Sequence, residues 1–504
     1  MSRRDVLEDR HTVGLAAVLV VAAALRLYAL GRESLWMDEV YSVTDAVRFT
    51  TVELLTVLPV VKNHGPAYYV LLRGWIGVAG LSEAMLRLPT ALAGIATVAV
   101  VYAVGAELFD RETGLLSAAL LALSPFHVAH SQAVRMYGFV GLLTALSFYF
   151  LVRLGRTDDR RWIAGYVLAT ALLVYTHPYG VFVILAGNAY VWWRLGVGAD
   201  VAHTARRWVA TQAALGALLL PYGLVLVDRL LATAGGTYTP LDWRSPPGAS
   251  TLLGTPIRYL GYPIHSASLL VGVPVVVALV GLAVLRISDG TAGSLRDRVR
   301  VRAADREAAS LLGVWLVVPV AVPAALSYLL SPIYGVRYTI GASLALFVLL
   351  ARGLTRIERH HLRYAAVAAL VVALVAPLPA YYAGTTNEEW REATTYVAEG
   401  AEPGDLVLFT DADGSKPWDV YVSRDDLVTR EVPDDGAWRN LSVSPACYGT
   451  VWVLNRTYPT TNDNEPASVV LDDTHRRVTV RSYYGVEAYR FERRASTTCQ
   501  TDGG

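Results

Sequence analysis

The chain has little cysteine, little lysine and little charge. Only two cysteines occur in 504 residues, Cys447 and Cys499, which excludes a cysteine-built metal cluster and leaves at most one disulfide. Of 44 basic residues only Lys62 and Lys416 are lysine. Charged residues make up 17% against 54% hydrophobic, and mean hydropathy is +0.39, too oily for a soluble domain of ordinary composition. A net charge of +1 suggests neither nucleic acid nor an acidic partner. P-loops, dinucleotide glycine fingerprints and repeats of solenoid period are also missing.

What is present is apolar length. Runs long enough to cross a bilayer, or nearly so, fall at about 13–30, 87–107, 114–129, 137–152, 162–176, 179–193, 209–227, 266–285, 309–330, 338–351 and 364–382. These eleven runs predict an all-α polytopic membrane protein. With the N-terminus inside, arginines crowd the cytoplasmic segments (Arg153, Arg156, Arg160, Arg161, Arg296, Arg298, Arg300, Arg302, Arg306 among them) and are sparse outside. The positive-inside rule therefore places the N-terminus in the cytoplasm. The first run is long and has Arg26 and Tyr28 where a cleavage site would want small residues, so it reads as a retained anchor.

An odd number of spans puts the tail outside. Composition changes there: residues 383–504 hold 21 Asp or Glu and 12 Lys or Arg, with alternating stretches such as 405–409, 450–454 and 477–481 that predict a soluble β or α/β domain. The expected organisation is thus a transmembrane domain over 1–382, with a first external loop at about 31–86, and an acidic extracytoplasmic domain over 383–504. Asn440-Leu-Ser442 and Asn455-Arg-Thr457 are glycosylation sequons in that tail. Cys447 and Cys499 share its oxidising compartment and are expected to pair.

Four clusters fall at external membrane boundaries: Asp38-Glu39, His64-Gly-Pro-Ala-Tyr68-Tyr69, His130-Ser-Gln-Ala-Val-Arg135-Met-Tyr137 and Tyr334-Gly-Val-Arg337-Tyr338. A carboxylate there can act as general base, and His and Arg can hold a phosphate. Tyr suits sugar faces and interface depth. Each has a plainer alternative: Asp-Glu as a solvated turn, Arg135 and Arg337 as snorkelling residues, His64 as a helix cap, and the tyrosines as belt aromatics. His177, in Tyr175-Thr-His-Pro-Tyr179, reads as structural.

Trp36-Met-Asp38-Glu39-Val-Tyr41, just after the first span, resembles the acidic signature of the GT-C superfamily of membrane glycosyltransferases. His64-Gly-Pro-Ala-Tyr-Tyr69 resembles the His/Lys-Pro-Pro-Leu-Tyr-Tyr segment that follows it. Leu86-Arg-Leu-Pro-Thr90 and Ser124-Pro-Phe with Ser131-Gln-Ala-Val-Arg-Met-Tyr137 resemble the next blocks of the branch containing protein O-mannosyltransferases and aminoarabinose transferases.

The resemblance implies an inverting transfer of a sugar, such as mannose or another hexose, from a polyprenyl or dolichyl phosphate carrier on the outer membrane face. The acceptor would be a glycan, a protein or a lipid. Asp38 would be the base with Glu39 its neighbour, and His64 and Arg135 would contact the lipid phosphate. Tyr68, Tyr69, Tyr137, Arg337 and Tyr338 complete the substrate-binding set. Gly65 departs from the family's first proline, and Tyr41 stands where aminoarabinose transferases carry arginine, which argues against a lipid-A-type acceptor. A divalent metal could bridge carboxylate and phosphate, but no ligand spacing demands one. The acidic tail and the shortage of lysine point to a salt-adapted archaeon, where dolichyl phosphate would be the carrier. The rival reading is a transporter or flippase of lipid-linked sugars, which would need charged groups lining the spans. Interior charges are scarce: Arg26 and Arg87 lie within spans.

Overall fold

A computed structural model describes the chain except residues 1–2, 62–63, 198–200, 237–244, 262–265, 288–298, 302–304, 411–412, 433–442, 458–470, 472 and 496–504. The sequon at Asn440 and Cys499 lie outside the described residues. Two compact units emerge. One comprises Met1–Leu30, Phe49–Ala79 and Leu86–Tyr382, and the other Gly31–Arg48, Gly80–Met85 and Ala383–Gly504. Residues read from the sequence as one external loop are therefore divided between the two units.

The first unit is a bundle of apolar helices of a multi-pass membrane protein. Among the described residues, eight helices are long and apolar enough to cross a bilayer, and a ninth span arises if Arg111–Leu123 and Pro125–Ser131, bent by 64°, count as one. Each of the eleven apolar runs coincides with a helix or with that bent pair. The two that miss the length test are Arg160–Thr176, with 17 residues, and the helix Ser266–Val284, of which Gly272–Val284 is the described apolar part. Pro66–Ala79 is a 14-residue helix, too short to span, as expected of a segment lying at the interface. Val336–Thr355 runs through the middle of the unit with almost every side chain buried.

The bend has a local cause. Pro125 offers no N–H, so the helix stops at Ser124, whose hydroxyl accepts from His127 N at 3.3 Å and starts the next helix. Backbone carbonyls set loose at such a break need a donor where no water reaches. Arg26 supplies it: buried in the first span, it donates to Ala122 O at 3.1 Å and Leu121 O at 3.3 Å. Arg87, also buried, donates to Leu30 O at 3.0 Å. At the ends read as cytoplasmic, arginines meet carboxylates: Arg153 and Arg156 with Glu107, Arg194 with Glu307, Arg207 with Asp158 and Arg356 with Asp305.

The first unit also holds a short antiparallel hairpin, β1 (Leu285–Ile287) with β2 (Val299–Val301). The second unit is built on a five-stranded sheet of β3 (Leu406–Phe409), β4 (Val428–Glu431), β5 (Thr450–Arg456), β6 (His475–Tyr483) and β7 (Val486–Arg493), in the order β4-β3-β5-β7-β6. β3 pairs in parallel with β4 and β5, and β7 pairs antiparallel with β5 and β6. β3 is buried along its whole length, the signature of a strand covered on both faces. One face carries Leu406, Leu408, Val451, Val453, Tyr489 and Phe491. The helix Trp390–Gly400 packs beside β5 and β7, so closely that a Cβ on Gly400 would come within 2.8 Å of the Trp452 ring. β6, one of the two edge strands, is mostly exposed and rich in arginine, which discourages edge-to-edge pairing. Cys447 is disulfide-bonded.

Candidate active site

Asp38 and Glu39 belong to the second unit. They open the helix Met37–Arg48, whose N-cap is Trp36: its carbonyl accepts from Glu39 N at 2.8 Å and Val40 N at 3.0 Å. Tryptophan has no side-chain acceptor with which to cap a helix. Two carboxylates take over that work. Glu39, fully buried, reaches back so that its Oε2 accepts from Trp36 N at 3.3 Å, half of a capping box. Glu388 accepts from Met37 N at 3.0 Å. Asp38, by contrast, is partly exposed. The two adjacent acids are therefore distinguished by burial: one is built into the helix start and the other reaches solvent.

The rest of this motif is held by the tail. Tyr421 OH receives Leu35 N at 2.8 Å, and burial pushes that phenol up to about 12, so it stays neutral and keeps its proton. Asn387 donates to Ser34 O at 3.0 Å, and Ser34 Oγ accepts from Arg391 N at 3.0 Å. Tyr41 OH donates to Asp413 at 2.5 Å. Lys416 pairs with the same carboxylate and lies 4.7 Å from the centre of the Tyr41 ring. Glu388, Asp413, Lys416 and Tyr421 escaped the sequence reading, and the one available signal was a helix start whose N-cap is a tryptophan.

The remaining candidates lie in the first unit, and most are brought together. His64 meets the Tyr69 ring at 5.7 Å, and Tyr69 meets Tyr68 edge-on at 5.7 Å. Tyr137 lies 5.2 Å from His130, 6.4 Å from His177 and 6.2 Å from Tyr338. Arg337 sits over Tyr338 at 5.4 Å and Tyr137 at 6.0 Å. Arg135 is buried, and its carbonyl accepts from Thr90 Oγ1 at 3.4 Å. The residue that joins these groups is His177. It touches the Tyr137, Tyr179 and Tyr338 rings, and His64, Arg135 and Arg337 lie near enough to act on it electrostatically. Pro178 ends the preceding helix, and Tyr179 N donates to His177 Nδ1 at 3.2 Å, leaving the ring proton on Nε2.

Gly65 explains its own departure from proline. A Cβ there would stand 2.3 Å from Tyr175 O and 2.7 Å from Thr176 C, so only glycine lets His64 lie against the loop that presents His177. Among the described residues no group of three or more His, Cys, Asp or Glu could hold a metal ion. A separate cleft lined by Arg156, Arg194, His203, Arg207 and Trp208 lies among the ion pairs at the ends read as cytoplasmic and contains no candidate residue.

Residues 63–225 match the family model described as dolichyl-phosphate-mannose-protein mannosyltransferase. Solved structures match over nearly the whole length. ArnT from Cupriavidus metallidurans in the apo state is 12% identical, covering 96% of this chain and 98% of that one with a TM-score of 0.61. The chain has the GT-C fold. ArnT bound to undecaprenyl phosphate matches at 13% identity, 97% and 99% coverage and a TM-score of 0.58. The archaeal oligosaccharyltransferase AglB from Archaeoglobus fulgidus, in complex with an inhibitory peptide and a dolichol-phosphate, matches at 13% identity, 95% and 74% coverage and a TM-score of 0.50. No curated protein matches the chain. The family model and the GT-C neighbours fit the branch recognised from the motifs at Trp36, His64, Arg87 and Arg135.

Proposed function

We propose that the protein is an inverting glycosyltransferase that moves a sugar, mannose or another hexose, from a polyprenyl or dolichyl phosphate carrier to an acceptor hydroxyl on the external membrane face. The observation that carries this reading is the unequal burial of the adjacent acids, with Glu39 closed into the helix start and Asp38 reaching solvent. Asp38 then takes the proton of the acceptor hydroxyl as its oxygen attacks the anomeric carbon from the side opposite the phosphate. One carbon–oxygen bond forms to the acceptor while the bond to the phosphate oxygen breaks, and the configuration inverts. The leaving polyprenyl phosphate carries its negative charge without needing a proton, so cationic and N–H donors serve where a glycosidase would need a second acid. Arg135, Arg337, His64 and His177 Nε2–H are the donors assigned to it. Tyr68, Tyr69, Tyr137 and Tyr338 supply ring faces for sugar or prenyl groups.

Two solved neighbours are described with undecaprenyl phosphate and dolichol-phosphate bound, which supports the carrier class, and the matched family model supports mannose. The acceptor is a glycan, a protein or a membrane lipid. In this reading the N-terminus is cytoplasmic and residues 383–504 are external. Against a transporter, the two arginines within the spans are engaged with backbone carbonyls. Single-turnover transfer from saturating dolichyl phosphate hexose, with a membrane extract as acceptor source, tests the proposal. Asp38→Asn should slow transfer by on the order of 10²-fold or more while donor binding survives, and Glu39→Gln should cost less. Wild-type turnover in the Asp38→Asn protein overturns the assignment.

A further inference from the structure

We infer that Glu388 is a positioning residue that orients Asp38 through its bond to Met37 N, 351 residues earlier in the chain, an inference resting on the reading of Asp38 as base. Its side chain is buried, with Glu388 4% exposed, and both oxygens are engaged. Oε1 receives Arg456 Nε and Nη2, each at 2.8 Å, from the end of β5. Oε2 receives Trp390 Nε1 at 2.9 Å and Met37 N at 3.0 Å. The carboxylate is thus fixed to the sheet on one side and caps the first N–H of the motif helix on the other, one residue before Asp38.

Two further contacts keep Glu388 from swinging away. Glu389 N donates to Tyr484 O at 2.9 Å, and Tyr484 N donates to Glu389 Oε2 at 2.7 Å. The β6–β7 turn also presses on Glu388 through Gly485, where φ is +75° and a Cβ would stand 2.9 Å from Glu388 Cγ. The Trp36 side chain offers no acceptor to cap the helix, Glu39 accepts from Trp36 N and Glu388 accepts from Met37 N, so Glu388 helps set where the backbone of Met37 and Asp38 lies. Displacing a reacting carboxylate by about 1 Å is enough to lose much of its effect.

The test uses the full-length protein with hydrogen exchange and transfer kinetics. In Glu388→Ala, exchange of the amides at 37–41 should quicken by about tenfold while β3 and β5 stay protected. Its kcat should fall about tenfold or more, with donor KM changed by less than about twofold. Glu388→Gln keeps one carbonyl oxygen for Met37 N and the Trp390 indole, so it should recover part of both losses. Because Glu388 acts through Asp38, adding Glu388→Ala to Asp38→Asn should lower the residual rate by less than about twofold. Unchanged exchange at 37–41, exchange that quickens equally through β3 and β5, unchanged kcat in Glu388→Ala, or the same fold-loss in both backgrounds would each overturn the inference. If Asp38→Asn alone keeps wild-type turnover, the base assignment falls separately, and exchange at 37–41 still decides whether Glu388 holds the helix.

Discussion

Tyr179 donates its hydroxyl proton to the carbonyl of Ile333 at 2.8 Å. This bond ties the loop that presents His177 to the segment that carries Arg337 and Tyr338, and Tyr179 also touches the Tyr338 ring at 5.4 Å. Donors that neutralise a phosphate work best when they do not have to reorganise on binding.

If these groups hold the lipid phosphate, removing one should weaken donor binding more than it slows chemistry. Arg135→Ala should raise the donor Kd by about tenfold or more. His177→Ala should do so by a smaller factor, since Nε2–H is a neutral donor. Tyr179→Phe removes only the tie to Ile333 and should weaken binding less than either. Donor titration of each purified variant checks the order, and wild-type affinity for Arg135→Ala would return that residue to a snorkelling role.

Arg26 gives a prediction about stability. Arg26→Met keeps the apolar stem but leaves the carbonyls of Leu121 and Ala122 at the Ser124-Pro125 break without their charged donor. Leu121 O keeps its bond from Ser124 N at 3.3 Å, so the loss falls mainly on Ala122 O, and one unsatisfied buried acceptor costs about 1–3 kcal/mol. Thermal unfolding in detergent measures it. A transport role would instead show as altered flux with little change in melting.

His475 should make the tail sensitive to acid. Burial is the main cause holding its imidazole below the usual value of 6.5, and its two nitrogens engage Thr474 and Tyr448 O. The unfolded chain then binds more protons than the folded one, so this contribution to stability is complete above about pH 6.5 and is lost as pH falls toward the folded pKa. Protection of the β6 and β7 amides, measured relative to the intrinsic exchange rate at each pH, should fall between pH 7 and pH 5 in the wild type and change less in His475→Gln. Equal pH dependence in both would remove His475 from the account.

The topology can be checked chemically. Glu402 is exposed in the tail unit, and Cys447 is disulfide-bonded, so Glu402→Cys introduces a thiol that a membrane-impermeant maleimide should label in intact cells. Labelling only after lysis would place the tail inside. Peptide mapping without reductant should find Cys447 linked to Cys499, the other cysteine of the chain.

The spans were legible because a bilayer demands about twenty apolar residues in a row, and a run such as 87–107 can hardly mean anything else. The donors gathered around His177 were only half legible. Tyr137, Arg135 and Arg337 could be suspected from their place at span ends, but proximity among segments about 40 to 200 residues apart leaves no mark in the chain. His177 looked structural because its neighbours Thr176 and Pro178 explain a helix end without further need. Glu388 was invisible for another reason. A cap supplied by the helix's own flank has a sequence pattern, as in Thr50 with Glu53, whereas a cap supplied from a distant segment has none.

The distance between Met37 and Glu388 also fixes an order of events during synthesis. A ribosome adding residues at about 5–20 per second needs roughly 20–70 s to pass from one to the other, and every span after the first is made in that interval. Throughout it the chain carries Asp38 on a helix start that lacks its cap. A translation product that stops before the tail can enter the membrane with all its spans and still present the carboxylate on an unsecured backbone. Unfinished chains would then draw little on the carrier lipid.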